Sequence, residues 1–467
     1  MVDNSWVNDD RKGTASPQSR IVRIKIMITI AVLILGAVAA IAMNSVGSNA
    51  TQYRSEGIVV DFGDYSTIWG NADFNVVDDP VQLLENVKKD HMMEGFDYTI
   101  AEGMLESITY DGNTYISGEG GSWDLWYVPV DEYDALKSDT YSIKASDYTV
   151  VIWAYTSEGD VPAVAVDATA TSIYGYAEPF RVVSLSPSCT ETVNSVSGIQ
   201  KLVGTDSYSN YPEYVVRGHE DGSIAIVGSY TDPSYEAIMS TSPELVYCDA
   251  STYNDIQMAS MLRASNVNAV VLYNGEDIDT IVKNIFITGT SMNHGMGAQA
   301  YIEKIYYSMD AIEATMTIEG TRTMVALSND PAPWVAGNYT YINDILDKLG
   351  ADNVFGNLNG WTNITPELIV QQNPELIIII DSYKYTKDGY SNMLSILSSD
   401  WKSTDAYKNG NIYLFCENFG DLGSRPGPRF VQLMEVMGKA IESDPDLPKA
   451  VGNEYRDYLD ITKRMGD

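Results

Sequence analysis

Basic side chains are scarce in this chain. Its 467 residues hold 29 Lys and Arg against 64 Asp and Glu, a formal net charge of −35. Phosphate-rich partners would be repelled by such a surface, so nucleic acid and anionic lipid are excluded as expected partners. Cysteine is nearly absent: Cys189, Cys248 and Cys416 cannot all pair within one chain, and no CxxC spacing points to a metal. They do not make a disulfide framework, although one bridge with one free thiol stays open. Histidine is equally rare, and His91, His219 and His294 show no paired spacing, which argues against a zinc or manganese site. Also missing are HExxH, GxSxG and a phosphate-cradling glycine loop. Gly118–Trp123 (GEGGSW) is glycine-rich but lies between strand-like runs and reads as a turn. Ser186, Ser188 and Cys189 form a polar turn with no histidine nearby in sequence to serve as a base, so a surface enzyme is the remote alternative.

Long hydrophobic runs are limited to residues 26–43, IMITIAVLILGAVAAIAM, which are uncharged and long enough for a transmembrane helix. Arg11, Lys12, Arg20, Arg23 and Lys25 precede it, and no charge follows until Arg54. That asymmetry puts 1–25 in the cytoplasm as a tail and the bulk of the chain outside the cell membrane, single-pass. A cleaved signal peptide competes with this reading, but the polar leader is long for one, and an uncleaved anchor is expected.

What the chain does contain is a copy of part of itself. YTDPSYEAIMSTSPELVYCD, from residue 230, and WTNITPELIVQQNPELIIIID, from residue 361, share one skeleton at a constant offset of 131. Each runs from an aromatic through a Thr and a polar turn to a Glu, then Pro-Glu-Leu and an apolar strand. Two structurally equivalent lobes follow from this, each presenting an aromatic and a glutamate, and such pairs of lobes hold a ligand between them.

After a linker at 44–54, residues 55–156 form a β-rich domain. Its strand-like runs are GIVVDFGDY, MLESITYDGNTYI, WDLWYVPV and YSIKASDYTVVIWAY. One helix is expected at VQLLENVKKDH, capped by Asp78 or Asp79 with Pro80 in its first turn. One helix among several strands predicts an α+β roll. Residues 157–178 read as a second linker. Short apolar strands then alternate with helices (RVVSLS, LVYCD, AVVLY, and later TMVALS, LIIIID, NIYLF), which predicts parallel α/β lobes at 179–290 and 321–467. Between them Ala298, Ile302, Ile305, Met309, Ile312 and Met316 recur at helical spacing, which predicts one long helix within 291–320.

RVVSLSPSCTETVNSVSGIQKLVGTDSYSNYP (181–212) resembles the opening of the vitamin- and siderophore-binding proteins that feed ABC importers. The likeness extends over about 181–440 and implies two Rossmann-like α/β lobes joined by one long helix. It is greatest to the cobalamin-binding members, and implies a corrinoid as the transported ligand, with no resident cofactor. Matched motif by motif, it places Tyr208 (SYSNYP), Tyr230, Trp334 (NDPAPWVAG) and Trp361 as aromatic ligand contacts. Asp421 and Arg425 (FGDLGSRPGPR) are its polar ones. Asp249 departs from the pattern, standing where the family member has a further tryptophan. A corrin is a broad apolar disc rimmed with amides, so flat aromatic faces and scattered hydrogen-bonding groups suit it. By the same resemblance Glu236 and Glu367 dock onto arginines of the membrane permease, which works with its ATPase. A local role competes: both stand in a first helical turn, where the helix dipole favours an acid.

Residues 55–156 resemble, more loosely, the small β-grasp-like domain that closes over cobalamin in the transcobalamin family. The likeness rests on GIVVDFGDY, the LLENV helix and the closing WDLWYV…YSIKASDYTVVIWAY pattern. Trp123 and Trp126 are expected near its ligand-facing loop, or in simple packing. Haem, with Tyr208 as a possible axial ligand, and ferric siderophores remain the alternative ligands of the same family.

Overall fold

The computed structural model describes residues 56–463, apart from 64–66, 73, 75–76, 78, 90–95, 111, 130–134, 158–159, 163–177 and 382–386. The expected tail, anchor and linker at 1–54 lie outside the described residues. Among the described residues no helix is long and apolar enough to cross a membrane. The chain divides into two compact units, with the break at 171/172.

The first unit has a five-stranded mixed sheet, in the order Thr67–Ala72, Glu56–Asp61, Tyr148–Thr156, Ser122–Pro129, Leu136–Lys137. Its two central strands, Glu56–Asp61 and Tyr148–Thr156, are parallel, and the other pairings are antiparallel. The uninterrupted apolar character of Tyr148–Thr156 has a direct cause, since Val150 to Ala154 are all buried, so both faces of the strand are covered. A three-stranded meander, Asp97–Ala101, Met104–Tyr110 and Asn113–Ile116, completes the β structure. The helix Pro80–Lys89 sends Leu83, Leu84 and Val87 into the core beside Trp153, whose indole N–H donates to the Pro80 carbonyl at 3.2 Å. Thr67–Ala72 escaped the sequence reading because Gly70 and Asn71 weaken its strand pattern. Trp123 does not sit at a loop tip. It is 3% exposed, packs in the core against Phe62 and Tyr155, and its Nε1–H donates to the Tyr115 carbonyl at 2.9 Å. Trp126 is likewise buried in the same strand.

The second unit contains two α/β lobes. In the first, five parallel strands run in the order Ala225–Ile226, Leu202–Thr205, Val182–Ser184, Leu245–Asp249, Asn268–Leu272. The second lobe centres on the parallel strands Arg322–Ala326, Leu376–Asp381, Ile412–Cys416 and Ala450–Val451. An antiparallel edge, Trp334–Ala336 and then Trp361–Asn363, flanks Arg322–Ala326. The α/β expectation holds, and each apolar run singled out in the sequence coincides with one of these strands. All three cysteines are buried, and none forms a disulfide among the described residues.

One long helix, Gly295–Glu313, passes between the lobes, and a second helix, Ile278–Ser291, precedes it. Ile278–Ser291 opens with a capping box at Asp277 and ends at Met292; Gly295–Glu313 then follows after a turn in which Asn293 has φ 56°. Residue 291 therefore closes the preceding helix. A side chain at Gly289 would come within 2.3 Å of the Ala298 Cβ, so glycine lets the two helices pack closely. The inter-lobe helix is 19 residues, about 28 Å at ~1.5 Å per residue. Its buried stripe is the one expected through Ile312. Met316 falls outside because Thr315, Thr317 and Ile318 are β-branched and disfavour further turns.

Candidate functional site

The repeat builds the same unit twice. In the first lobe Ser234 caps a helix, Tyr235–Ser240, by accepting the Ala237 N–H at 3.2 Å, and the chain continues into Leu245–Asp249. In the second lobe Thr365 and Pro366 start the helix Pro366–Gln372, which leads into Leu376–Asp381. The loops before these helices and after these strands come to a cleft of about 1390 Å³, lined from both lobes.

Tyr208, Tyr230, Trp361, Asp421 and Arg425 all line this cleft. Tyr208 and Tyr230 meet edge to face with ring centroids 5.5 Å apart, and are 56% and 41% exposed, so two flat surfaces stand open on the first lobe. Trp334 is not among the lining residues, and it is 52% exposed on the strand between Arg322–Ala326 and Trp361–Asn363. Its register explains the displacement. Trp334 opposes Asn363 while Trp361 opposes Ala336, so the two tryptophans share a face but are diagonal neighbours, and only Trp361 reaches the cleft. Tyr339, five residues beyond Trp334, lines the cleft instead. It adopts φ 60°, a left-handed conformation that costs a side-chain-bearing residue energy and that concentrates at functional sites. Glu417, also in the lining, shares this feature with φ 51°.

Asp421 and Arg425 belong to a network that ties the lobes together. Arg425 donates to the Asn210 Oδ1 at 2.7 Å and lies 3.2 Å from the Asp421 carboxylate, while the Asn210 amide donates to Asp421 at 3.0 Å. Beneath them Arg429, 2% exposed, makes a two-pronged pair with Glu191 at 2.9 and 2.6 Å. Arg429 also donates to Asn418 at 2.6 Å, and its guanidinium stacks 3.6 Å over the Tyr211 ring. Glu191 and Asn210 come from the first lobe, Asp421, Arg425 and Arg429 from the second. A Cβ at Gly275 of the first lobe would stand 2.4 Å from Pro426, so the lobes touch there as well. Glu191 and Arg429 were present in the motifs SPSCTE and SRPGPR, but nothing in the sequence linked residues 238 apart.

The floor of the first lobe is acidic. Asp249, 7% exposed, accepts from the Ser188 hydroxyl at 2.9 Å and the Ser251 N–H at 2.8 Å. Its own N–H donates to Asp255 at 2.8 Å. Burial, with the Asp249 charge adding to it, pushes the Asp255 carboxyl up to about 7. Asp206 is also raised by burial, although the Ser209 hydroxyl and the Tyr208 N–H oppose the shift. Cys189 is 1% exposed, burial pushes its thiol well up, and among the described residues no histidine lines the cleft beside the Ser186–Cys189 turn.

Glu236 and Glu367 lie outside the cleft lining, both exposed, each the second residue of its helix. The Glu367 carboxylate accepts from its own backbone N–H and the Thr365 hydroxyl, which hold it below the usual carboxylate range. Among the described residues no hydrogen bond or ion pair is recorded for Glu236.

Comparison with known proteins gives consistent relatives. An uncharacterized ABC transporter substrate-binding lipoprotein of Bacillus subtilis is 25% identical over 292 residues, 61% of this chain and 86% of the relative. A cobalamin-binding protein of Halobacterium salinarum is 23% identical over 286 residues, 60% of this chain and 74% of the relative. Among solved structures, a periplasmic heme-binding protein from Roseiflexus sp. RS-1 is 19% identical with a TM-score of 0.48, covering 56% of this chain and 98% of that one. These are solute-binding proteins rather than enzymes. The family model for periplasmic binding proteins matches residues 182–417, half of the sequence, and the chain belongs to that family.

Proposed function

We propose that the protein captures a corrinoid in the cleft between its two lobes and delivers it to the permease of an ABC importer. One observation carries this reading: open aromatic faces from both lobes, Tyr208 and Tyr230 on one side and Trp361 and Tyr339 on the other, line a cleft of about 1390 Å³. Drug-sized ligands occupy roughly 300–1,000 Å³, so the space suits something larger, and a flat macrocycle uses aromatic walls well. Asp421 and Arg425 are the polar contacts for the amide rim, exchanging part of their inter-lobe pairing for ligand. Trp334 extends the Trp361 face beyond the cleft and contributes less. The cobalamin-binding relative from Halobacterium salinarum supports the same ligand.

Glu236 and Glu367 are the docking acids for the permease, at equivalent exposed places on the two lobes. Residues 26–43 anchor the chain in the cell membrane with the binding unit outside; the lipoprotein relative supports attachment to the membrane, though not through a helix. Residues 56–156 are a β-grasp-like module of transcobalamin type, a reading supported by the central parallel pair of its first and last strands and by its one core helix. Haem is the second reading, favoured by the exposure of Tyr208 at the cleft as a candidate axial ligand.

Titrating the full chain, in non-ionic detergent, with cyanocobalamin, haemin and a ferric siderophore tests this. One equivalent of cobalamin retained on the protein, unconverted, is the expected result. Tight haemin binding with no retention of cobalamin would overturn the ligand, and catalytic turnover of the bound molecule would overturn the transport role.

A further inference from the structure

The cleft lining carries six carboxylates, on Glu213, Asp249, Glu276, Asp381, Glu417 and Asp421, against two guanidiniums, on Arg425 and Arg456. Arg425 is already offset by Asp421 at 3.2 Å and stands 3.8 Å from Glu191. Asp249 occupies the floor, fixed by Ser188 and the Ser251 N–H. Among the described residues no lysine lines the cleft. An acid-lined concavity with low-dielectric walls focuses a negative potential on whatever enters it. We infer that the cleft selects its ligand by charge, taking cationic forms of a corrinoid in preference to neutral ones and rejecting anionic tetrapyrroles.

This rests on the corrinoid reading above and sharpens it. Aquacobalamin and cyanocobalamin share the ring and differ at one axial position, where replacing cyanide by water leaves the complex one unit more positive. Haemin carries two propionates, which would lose hydration while facing the six carboxylates. Repulsion at the exposed Glu276 is screened by salt, whereas Asp249 and Asp421, 7% and 9% exposed, are screened much less. Charge selection is therefore strongest at low ionic strength and persists in part at high.

The test uses the full chain in non-ionic detergent, with circular dichroism at each salt concentration to verify folding. Affinities for aquacobalamin, cyanocobalamin and haemin are measured at about 0.1 M and about 1 M salt, where the screening length falls from ~10 to ~3 Å. At low salt the aquo form should bind about tenfold or more tightly than the cyano form, haemin should be weakest, and the gap should narrow at high salt. The double variant Glu276→Gln/Asp381→Asn should narrow the gap several-fold at low salt. Exchange of the cobalt-bound water for a side chain would mimic the preference, and it is read out independently as a shift of the corrin absorption bands. Equal affinities at low salt, a gap indifferent to both salt and the double variant, or a gap accompanied by that spectral shift would overturn charge selection while leaving corrinoid binding intact. Binding of haemin with no binding of either corrinoid would instead overturn the corrinoid reading itself.

Discussion

The two copies of the repeat share a short helix leading into a parallel strand, and differ in the chemistry around it. In the first lobe the helix Tyr235–Ser240 is capped by Ser234, and Glu236 is left with no recorded local role. In the second, Thr365 makes no side-chain cap, and Glu367 takes its own N–H and the Thr365 hydroxyl instead. The cleft faces differ in the same way. The first lobe ends its strand in Asp249 over the buried Asp255, whereas the second offers Trp361 on a short antiparallel edge. Equivalent positions in a repeat thus share geometry, which the backbone sets, and not function, which depends on what each side chain meets. For a ligand the result is a face bearing Tyr208 and Tyr230 opposite one bearing Trp361 and Tyr339, with carboxylates on both.

The connection between the lobes offers the largest test. Arg429→Ala strips the buried Glu191 of its two short hydrogen bonds and leaves it only Arg425 at 3.8 Å, and should cost ~3–5 kcal/mol, seen as a marked fall in Tm by calorimetry. Arg217→Ala, which removes an exposed helix pair with Glu213, should cost no more than ~0.5 kcal/mol. Equal small effects would show that the lobes are held by packing alone. Next come the aromatic faces. Trp361→Ala and Tyr230→Ala should each weaken cobalamin binding by ~1–3 kcal/mol, or roughly 10- to 100-fold in a titration, while Trp334→Ala should fall below tenfold. A Trp334 effect as large as that of Trp361 would mean that the edge strands move onto the ligand.

A smaller effect separates the lobe floors by pH. The folded Asp255 carboxyl, pushed up to about 7 from 3.8, holds a proton that the unfolded chain has already released across that window. The folded state therefore binds more protons than the unfolded one between about pH 4 and 7, and stability contributed by this group falls as pH rises through it. Asp255→Asn should flatten the pH dependence of Tm; an unchanged slope would place the titration elsewhere. The smallest contrast concerns the docking acids. Glu367→Ala should lower Tm slightly and Glu236→Ala should not, while both slow corrinoid uptake in cells and spare its binding. Loss of binding in either variant would remove the docking role.

Much of the second unit was legible because its strands are short apolar runs between turn residues and its inter-lobe helix repeats at helical spacing. Tyr208, Tyr230 and Trp361 could be placed at the cleft for the same reason: each is at a fixed distance from a recognisable turn. Trp334 was misplaced by a matter of sheet register, since a strand two residues displaced carries its side chain past the cleft. Tyr339 was overlooked because nothing in NYT signals a left-handed tyrosine.

The family was legible from its motifs; contiguous residues alone were enough for the doubling of the lobe, the order of strands and helices, and the acidic balance of the whole chain. These are properties of local periodicity and composition, which contiguous residues carry. Tertiary packing alone settles that Glu191 meets Arg429, that Asp421 and Arg425 clamp Asn210, that a separate helix lies ahead of the inter-lobe one, and that six carboxylates converge on one cleft. Those facts depend on contacts between residues far apart along the chain, and packing of the lobes brings them within bonding distance.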